Sequence, residues 1–208
     1  FEEIPQKVKE DRAYSIAIEM AMGEAPVYVA ADGTMRDKLA ARRFRDQMWP
    51  KISMKSGPVL GKAFSVLFLQ VDATFVQIGF DNQKFVEREV MTSGWPPIST
   101  FGKSEAFDVW LMVQHSDHVP DFQLRALQAM RALLESREVS RSNYAYLYDR
   151  VRVNVGQKQR YGSQFECLNG KMAPQPLEKP DEIDALRKDM DMEPLADYAK
   201  KFSPTCNR

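Results

Sequence analysis

The chain has 208 residues, and 29 Lys and Arg balance 29 Asp and Glu, so its formal net charge is zero. That balance argues against a dedicated nucleic-acid binder, which carries a basic excess, and against a highly charged disordered tail. Hydrophobic residues at 44% and aromatics at 11% suffice for a real core, and 10 Gly with 12 Pro are too few for a low-complexity chain.

Taken in chain order, residues 3–22 read as a helix with Ile4, Val8, Ile16 and Met20 loosely on one face. Val27–Ala30 is a short apolar run closed by the turn signal Asp32-Gly33. A second helix fits from about Met35 to Met48, stopped by Pro50. Its basic stretch reads as a solvated face, with an anion-binding patch as the alternative. Phe64, Leu67, Phe68, Val71, Phe75 and Ile78 recur at steps of three and four, a helical stripe that can run on through Val90. Gly94 suits its C-terminal cap, and Trp95-Pro96-Pro97 ends it.

Beyond this point the signals sharpen. Ser104 is a suitable N-cap for a helix carrying Phe107, Trp110, Leu111 and Gln114 on one face. Pro120 suits the first position of the next helix, expected to reach about Arg137 with Phe122, Leu124, Leu127, Met130 and Leu134 inside. Ser140 or Ser142 caps another, striped by Tyr144, Leu147, Tyr148 and Val151 and ended by Gly156. Asn169-Gly170 between two short extended runs signals a β-hairpin in the region 159–175. A helix from Asp181 to about Met190 and a last helical turn after Pro194 complete the chain. The expected class is mainly α: a bundle-like single core with one small hairpin, made of an N-terminal helical region (1–80) packed with a second region (81–208).

Cys167 and Cys206 stand 39 positions apart, with no CxxC and no zinc-ligand spacing. They could close one disulfide or remain two thiols. No apolar stretch approaches the roughly 20 residues of a membrane span. The chain starts at Phe1 rather than Met, so the expected compartment stays open: cytoplasmic or, if a signal segment was removed, periplasmic or secreted.

Three polar constellations are candidates for chemistry. The first is Trp110–Gln123, which holds the protein's two histidines, His115 and His118, between helices, with Gln114, Asp117 and Asp121 around them. An imidazole beside carboxylates is how a general base is held in one tautomer, and it is also how a pair can cap two helix ends. The second is Tyr144–Arg150, whose Tyr146, Asp149 and Arg150 share one helix side. The third is Gln157–Phe165, with Gln159, Arg160, Tyr161, Gly162 and Gln164. Arg with amide side chains suits a carboxylate, a phosphate or a peptide backbone.

The stretches GWP (Gly94–Pro96), WLMVQHSDHVPDFQ, AYLYDRVRVNVGQKQRYGSQF and GKMAPQPLEKPDEIDALRKDMDMEPLADY together resemble a bacterial family known as domain of unknown function 6624, over roughly residues 81–198. The resemblance implies that Trp95, Gln114, His115, Asp117, Asp149, Arg150, Gln159, Arg160, Tyr161, Gly162 and Gln164 are family motif positions. It implies no activity. Ser116, His118 and Ser163 depart from the family pattern; His118 stands at a variable position, which weakens any two-histidine metal site, whereas Ser163 for Thr keeps a hydroxyl.

The reading favoured on these residues is one polar pocket that binds, or performs acid–base hydrolase or lyase chemistry on, a small anionic ligand. His115, Asp117 and Asp149 would be catalytic; Arg150, Arg160, Tyr161, Gln164 and Gln114 would hold substrate. One alternative is a non-catalytic helical interaction module whose polar cluster is structural. Another is a metal enzyme using His115, Asp117 and Asp149. No cofactor is named by the sequence, no nucleic-acid partner or membrane span is expected, and a protein partner is left open.

Overall fold

The computed structural model describes residues 33–60, 78–202 and 206. The helix expected over 3–22, the run Val27–Ala30 and the stripe from Phe64 to Phe75 lie outside them. The chain divides into two compact units, Phe1–Arg88 and Glu89–Arg208, each described by itself.

In the first unit, helix α1 spans Met35–Leu60. It therefore passes Pro50, where the sequence predicts a stop. A helix-interior proline loses one hydrogen bond and costs about 3 kcal/mol, and the helix bears that cost. Thr34 and Asp37 open the helix reciprocally: the Asp37 N–H donates to Thr34 Oγ1 at 3.2 Å and the Thr34 N–H to Asp37 Oδ2 at 3.2 Å. Arg42, from the basic stretch, lies 4.0 Å over the Phe85 ring and donates to Asn82 Oδ1 at 3.2 Å. Residues 78–85 are helical and pass into a π-helical turn, Val86–Val90. Of the stripe predicted to run through Val90, Phe85 and Val86 are buried.

The second unit carries the motifs. A short helix α2, Ile98–Phe101, leads through Gly102 into α3, Lys103–Gln114. Gly102 takes the N-cap position at φ 94°, not Ser104, and no side chain caps the helix. The positive φ is what turns the chain between α2 and α3, and only glycine adopts it readily. Ala106, Val109, Trp110 and Val113 form the buried stripe of α3, whereas Phe107 is 41% exposed. Helix α4 spans Pro120–Arg131, with Pro120 at its start as expected. It ends six residues before Arg137, because 132–137 is a series of turns closed by Arg137 at φ 57°. Phe122, Ala126, Leu127 and Met130 are its buried face, and Leu124 is exposed.

Helix α5, Arg141–Asn154, begins as predicted at Ser140, whose Oγ accepts the Asn143 N–H at 3.2 Å. Tyr144, Leu147 and Val151 bury its stripe. Gly156, at φ 73°, follows its end. The hairpin consists of β1, Phe165–Leu168, and β2, Lys171–Pro174, antiparallel with Phe165 opposite Pro174 and Cys167 opposite Met172. Asn169 and Gly170 both take positive φ, which the two-residue turn demands. After a 3-10 turn at Pro180–Glu182 come α6, Ile183–Asp189, and α7, Leu195–Ala199. Cys167 and Cys206 are joined as a disulfide, which settles the question the spacing leaves open. It ties the C-terminal tail to β1.

Candidate functional site

The segment Gln159–Gln164 is an irregular loop whose backbone is held from both sides by buried charge. Asp149, on α5, is 0% exposed. Its Oδ1 accepts the N–H groups of Arg160 at 2.8 Å and Tyr161 at 3.0 Å, and its Oδ2 accepts that of Ser163 at 2.9 Å. Burial pushes this carboxyl above its ordinary pKa, and the three N–H donors pull against burial without cancelling it. Arg187, on α6, is also 0% exposed and grips the carbonyls of the same loop. Its Nη1 donates to the Tyr161 oxygen at 2.6 Å, and its Nε donates to the Glu193 oxygen at 2.6 Å. The loop's amides thus face a carboxylate and its carbonyls a guanidinium. Without such partners, buried backbone groups cost about 1–3 kcal/mol each.

Gln159 completes the clamp. It is 0% exposed, and its side-chain amide spans two strands of chain. Its Nε2 donates to the Gln164 and Gln175 oxygens at 2.9 and 2.8 Å, and its Oε1 accepts the Gln164 N–H at 2.9 Å. Gly162 has φ 65°, and a Cβ there would stand 3.0 Å from Leu195 Cδ1 and 3.3 Å from Leu177 Cδ2. Tyr161 is buried, with its phenol pushed up to about 12 by burial and by the neighbouring Tyr144. Arg160 donates from Nε to Glu178 Oε2 at 2.9 Å, and Arg152 pairs with the same carboxylate.

A second cluster joins the loop after α3 to α5. Asp117 takes a bidentate grip on Arg150: Nε to Oδ1 at 2.8 Å and Nη2 to Oδ2 at 2.5 Å. Asn154 and Gln123 also donate to Oδ1, at 2.8 and 3.2 Å. Burial raises this carboxyl, but the Arg150 guanidinium outweighs it with help from Gln123 and Asn154, so the group sits below its ordinary 3.8. His115 is the half-buried C-cap residue of α3, and its backbone N–H donates to the Leu111 oxygen at 3.1 Å. His118 is exposed; burial lowers its imidazole against the pull of Asp117.

Between these clusters opens a pocket of about 380 Å³. Three residues chosen from the sequence line it: Gln114, Arg150 and Gln164. His115, Asp117, Asp149, Arg160 and Tyr161 do not. The walls are aromatic. Trp110 and Tyr146 have ring centroids 6.5 Å apart, Tyr146 and Tyr198 5.9 Å, and Tyr198 and Phe165 5.8 Å. Phe202 stacks on Phe165 at 4.3 Å. Gln114 is one of the lining residues, and its Oε1 is buried and has no hydrogen-bond partner. Two of the three Arg150 nitrogens face Asp117, so its charge is already matched.

The site as built can hold a flat ligand between rings and offer it an amide acceptor. Among the described residues, no group of three or more His, Cys, Asp or Glu could hold a metal ion. Asp149 faces loop amides, and Asp117 faces Arg150. Arg187 escapes sequence reading because IDALRKD is an ordinary amphipathic pattern, with nothing to separate a buried arginine from a solvated one. The aromatic walls come from four separate segments; Trp110, Tyr146 and Phe165 fall inside the polar constellations, whereas Tyr198 and Phe202 lie outside them.

No helix among the described residues is long and apolar enough to cross a membrane. A family model, described as a family of unknown function (DUF6624), matches residues 70–205. No curated protein and no solved structure shows significant similarity to the chain.

Proposed function

Because this chain belongs to that family of unknown function, whose description assigns no activity, we propose its role from the pocket itself: it binds a small flat ligand that presents an N–H or O–H donor. The observation that carries this is Gln114 Oε1, a buried acceptor without a partner in an aromatic-walled pocket. A buried polar atom left unpaired costs about 1–3 kcal/mol, which a ligand donor would recover. At about 380 Å³ the cavity suits a molecule of one or two rings. Aromatic contacts with Tyr146, Tyr198 and Phe165 would supply most of the affinity.

This reading reshapes the expectation of a small anionic ligand. Arg150 remains a lining residue, but Asp117 neutralises it, so the pocket favours an uncharged ligand over an anion. His115 lies outside the lining, so the pocket gives it no contact with a bound ligand. Asp149, Arg160, Tyr161 and Gln159 act as scaffold. The structural reading of the polar cluster has a specific support: the Asp149 carboxylate is engaged by the backbone N–H groups of Arg160, Tyr161 and Ser163 and by the Ser163 side chain, all from one loop.

The test uses three probes on the full chain: benzamide, benzoate and inorganic phosphate. A ligand of the native state raises the melting temperature. Benzamide is expected to raise it most, benzoate less, and phosphate not through this pocket. The Gln114→Met variant, similar in shape but without the acceptor, should lose the benzamide effect. Equal responses of the variant and the parent protein would sink the proposal.

A further inference from the structure

A second pocket, of about 540 Å³, shares Trp110 in its lining with the first. Two of its residues carry buried donor atoms without a partner. Trp95, from the GWP motif, is 5% exposed, and its Nε1 is buried in the lining without a partner. Arg141 Nε is likewise buried without a partner and lines the same pocket. Lys103 and Arg137 also line it, against the single carboxylate of Asp191. Arg137 and Asp191 pair at 3.4 Å, and the lining keeps an excess of two positive charges.

The backbone adds to this field. Ser140, Arg141, Ser142 and Asn143 line the pocket, and they are the N-cap and first turn of α5, a helix of 14 residues. The first N–H groups of a helix lack intrahelical acceptors, and its dipole places partial positive charge there. Ser140 Oγ occupies the Asn143 N–H, while Arg141 and Ser142 hold the two positions before it. Ile98, Phe107 and Met130 provide an apolar wall.

We propose that this pocket is a binding site for a small organic anion, a carboxylate or phosphate monoester carried on an apolar body. The anionic head would accept from the Trp95 indole N–H, the Arg141 guanidinium and the first turn of α5. The apolar body would lie against Phe107, Ile98 and Met130. The two unpartnered donors and the helix N-terminus are independent observations, and they converge on the same chemistry. This also gives a role to the Gly94–Pro96 motif, which the Gln114 pocket leaves unused. The inference stands apart from the Gln114 pocket, since a ligand in either requires nothing of the other.

The experiment is an NMR titration of the full chain, following the indole N–H signals, with phenyl phosphate, phenylacetate, inorganic phosphate and benzyl alcohol as probes. Phenyl phosphate and phenylacetate are expected to shift the Trp95 signal with Kd near 1 mM, an affinity ordinary for ligands of this size. Benzyl alcohol, with the ring but no charge, should bind at least about tenfold more weakly, and so should inorganic phosphate, which lacks the ring. The better of the two organic anions identifies the head group. Arg141→Gln should weaken both by about tenfold, as loss of a charged hydrogen-bond partner does. Trp95→Phe, which keeps a ring without the N–H, should weaken them as well. If Trp95→Phe fails to fold, Arg141→Gln and Lys103→Gln decide alone. Gln114→Met should leave this binding unchanged. Unshifted Trp95 with every probe, equal binding of benzyl alcohol and phenyl phosphate, or full affinity in Arg141→Gln would each overturn the assignment.

Discussion

Replacing Asp149 by Asn changes one atom and removes one charge. In the parent protein three backbone N–H groups converge on the carboxylate, at 2.8 Å for Arg160, 3.0 Å for Tyr161 and 2.9 Å for Ser163. With the amide oxygen in the Oδ1 place, Arg160 and Tyr161 keep an acceptor of neutral strength. The Ser163 N–H then faces an NH2 group, donor against donor. One charge-assisted bond worth about 1.5–3 kcal/mol is lost, a buried donor is orphaned at about 1–3 kcal/mol, and relief of carboxylate desolvation offsets part of both. The net expectation is a loss of about 3 kcal/mol. The unit Glu89–Arg208 holds 120 residues by its bounds. With an unfolding entropy near 2.1 cal/mol/K per residue, about 3 kcal/mol lowers its midpoint by about 12 °C. Calorimetry reads the midpoint, and hydrogen exchange reads the Ser163 amide, which should lose protection. A midpoint lowered by less than about 2 °C, with unchanged exchange at Tyr161 and Ser163, would refute the claim that this carboxylate holds the loop.

Other perturbations probe the neighbouring contacts. Gly162→Ala forces a side chain into positive φ and against Leu195, and should destabilise by about 1–3 kcal/mol in denaturant unfolding. Cys206→Ser opens a loop with a sequence separation of 39 and, by chain entropy, should cost up to about 4 kcal/mol. It should also weaken benzamide binding, because Phe202 sits on the released tail and lines the pocket. Asp117 titrates below 3.8 in the folded chain, so its pairing with Arg150 adds stability above pH 3.8 that is lost as pH falls through the lower folded value. The pair is partly exposed, so its worth is about 1 kcal/mol at most, and an Arg150→Leu variant should flatten that part of the stability–pH curve.

Much of the second unit was legible because its local signals agree with its packing. Ser140, Pro120 and Asn169-Gly170 each act at the position where local stereochemistry puts them. The misplaced boundaries came from tertiary override. Pro50 is absorbed within α1, Gly102 rather than Ser104 starts α3, and α4 gives way to turns before Leu134. At the site, residue type alone could not assign each side chain its work. Asp149 and Arg150 are adjacent in sequence, yet one faces a loop backbone and the other a carboxylate. Which way each points depends on the path of residues 157–164, and no periodicity encodes that path. The disulfide was equally out of reach, since the distance between Cys167 and Cys206 is set by the hairpin and the tail together.

The pocket account rests on a single atom, Gln114 Oε1, meeting a ligand donor among aromatic rings. Its most direct test is the side-chain amide signal of Gln114 under benzamide titration. This signal should move together with ring resonances of Tyr146 and Tyr198, and the Tyr198 shift should disappear in Gln114→Met. A Gln114 signal that stays fixed while benzamide binds elsewhere, or tyrosine shifts undiminished in the variant, would contradict it.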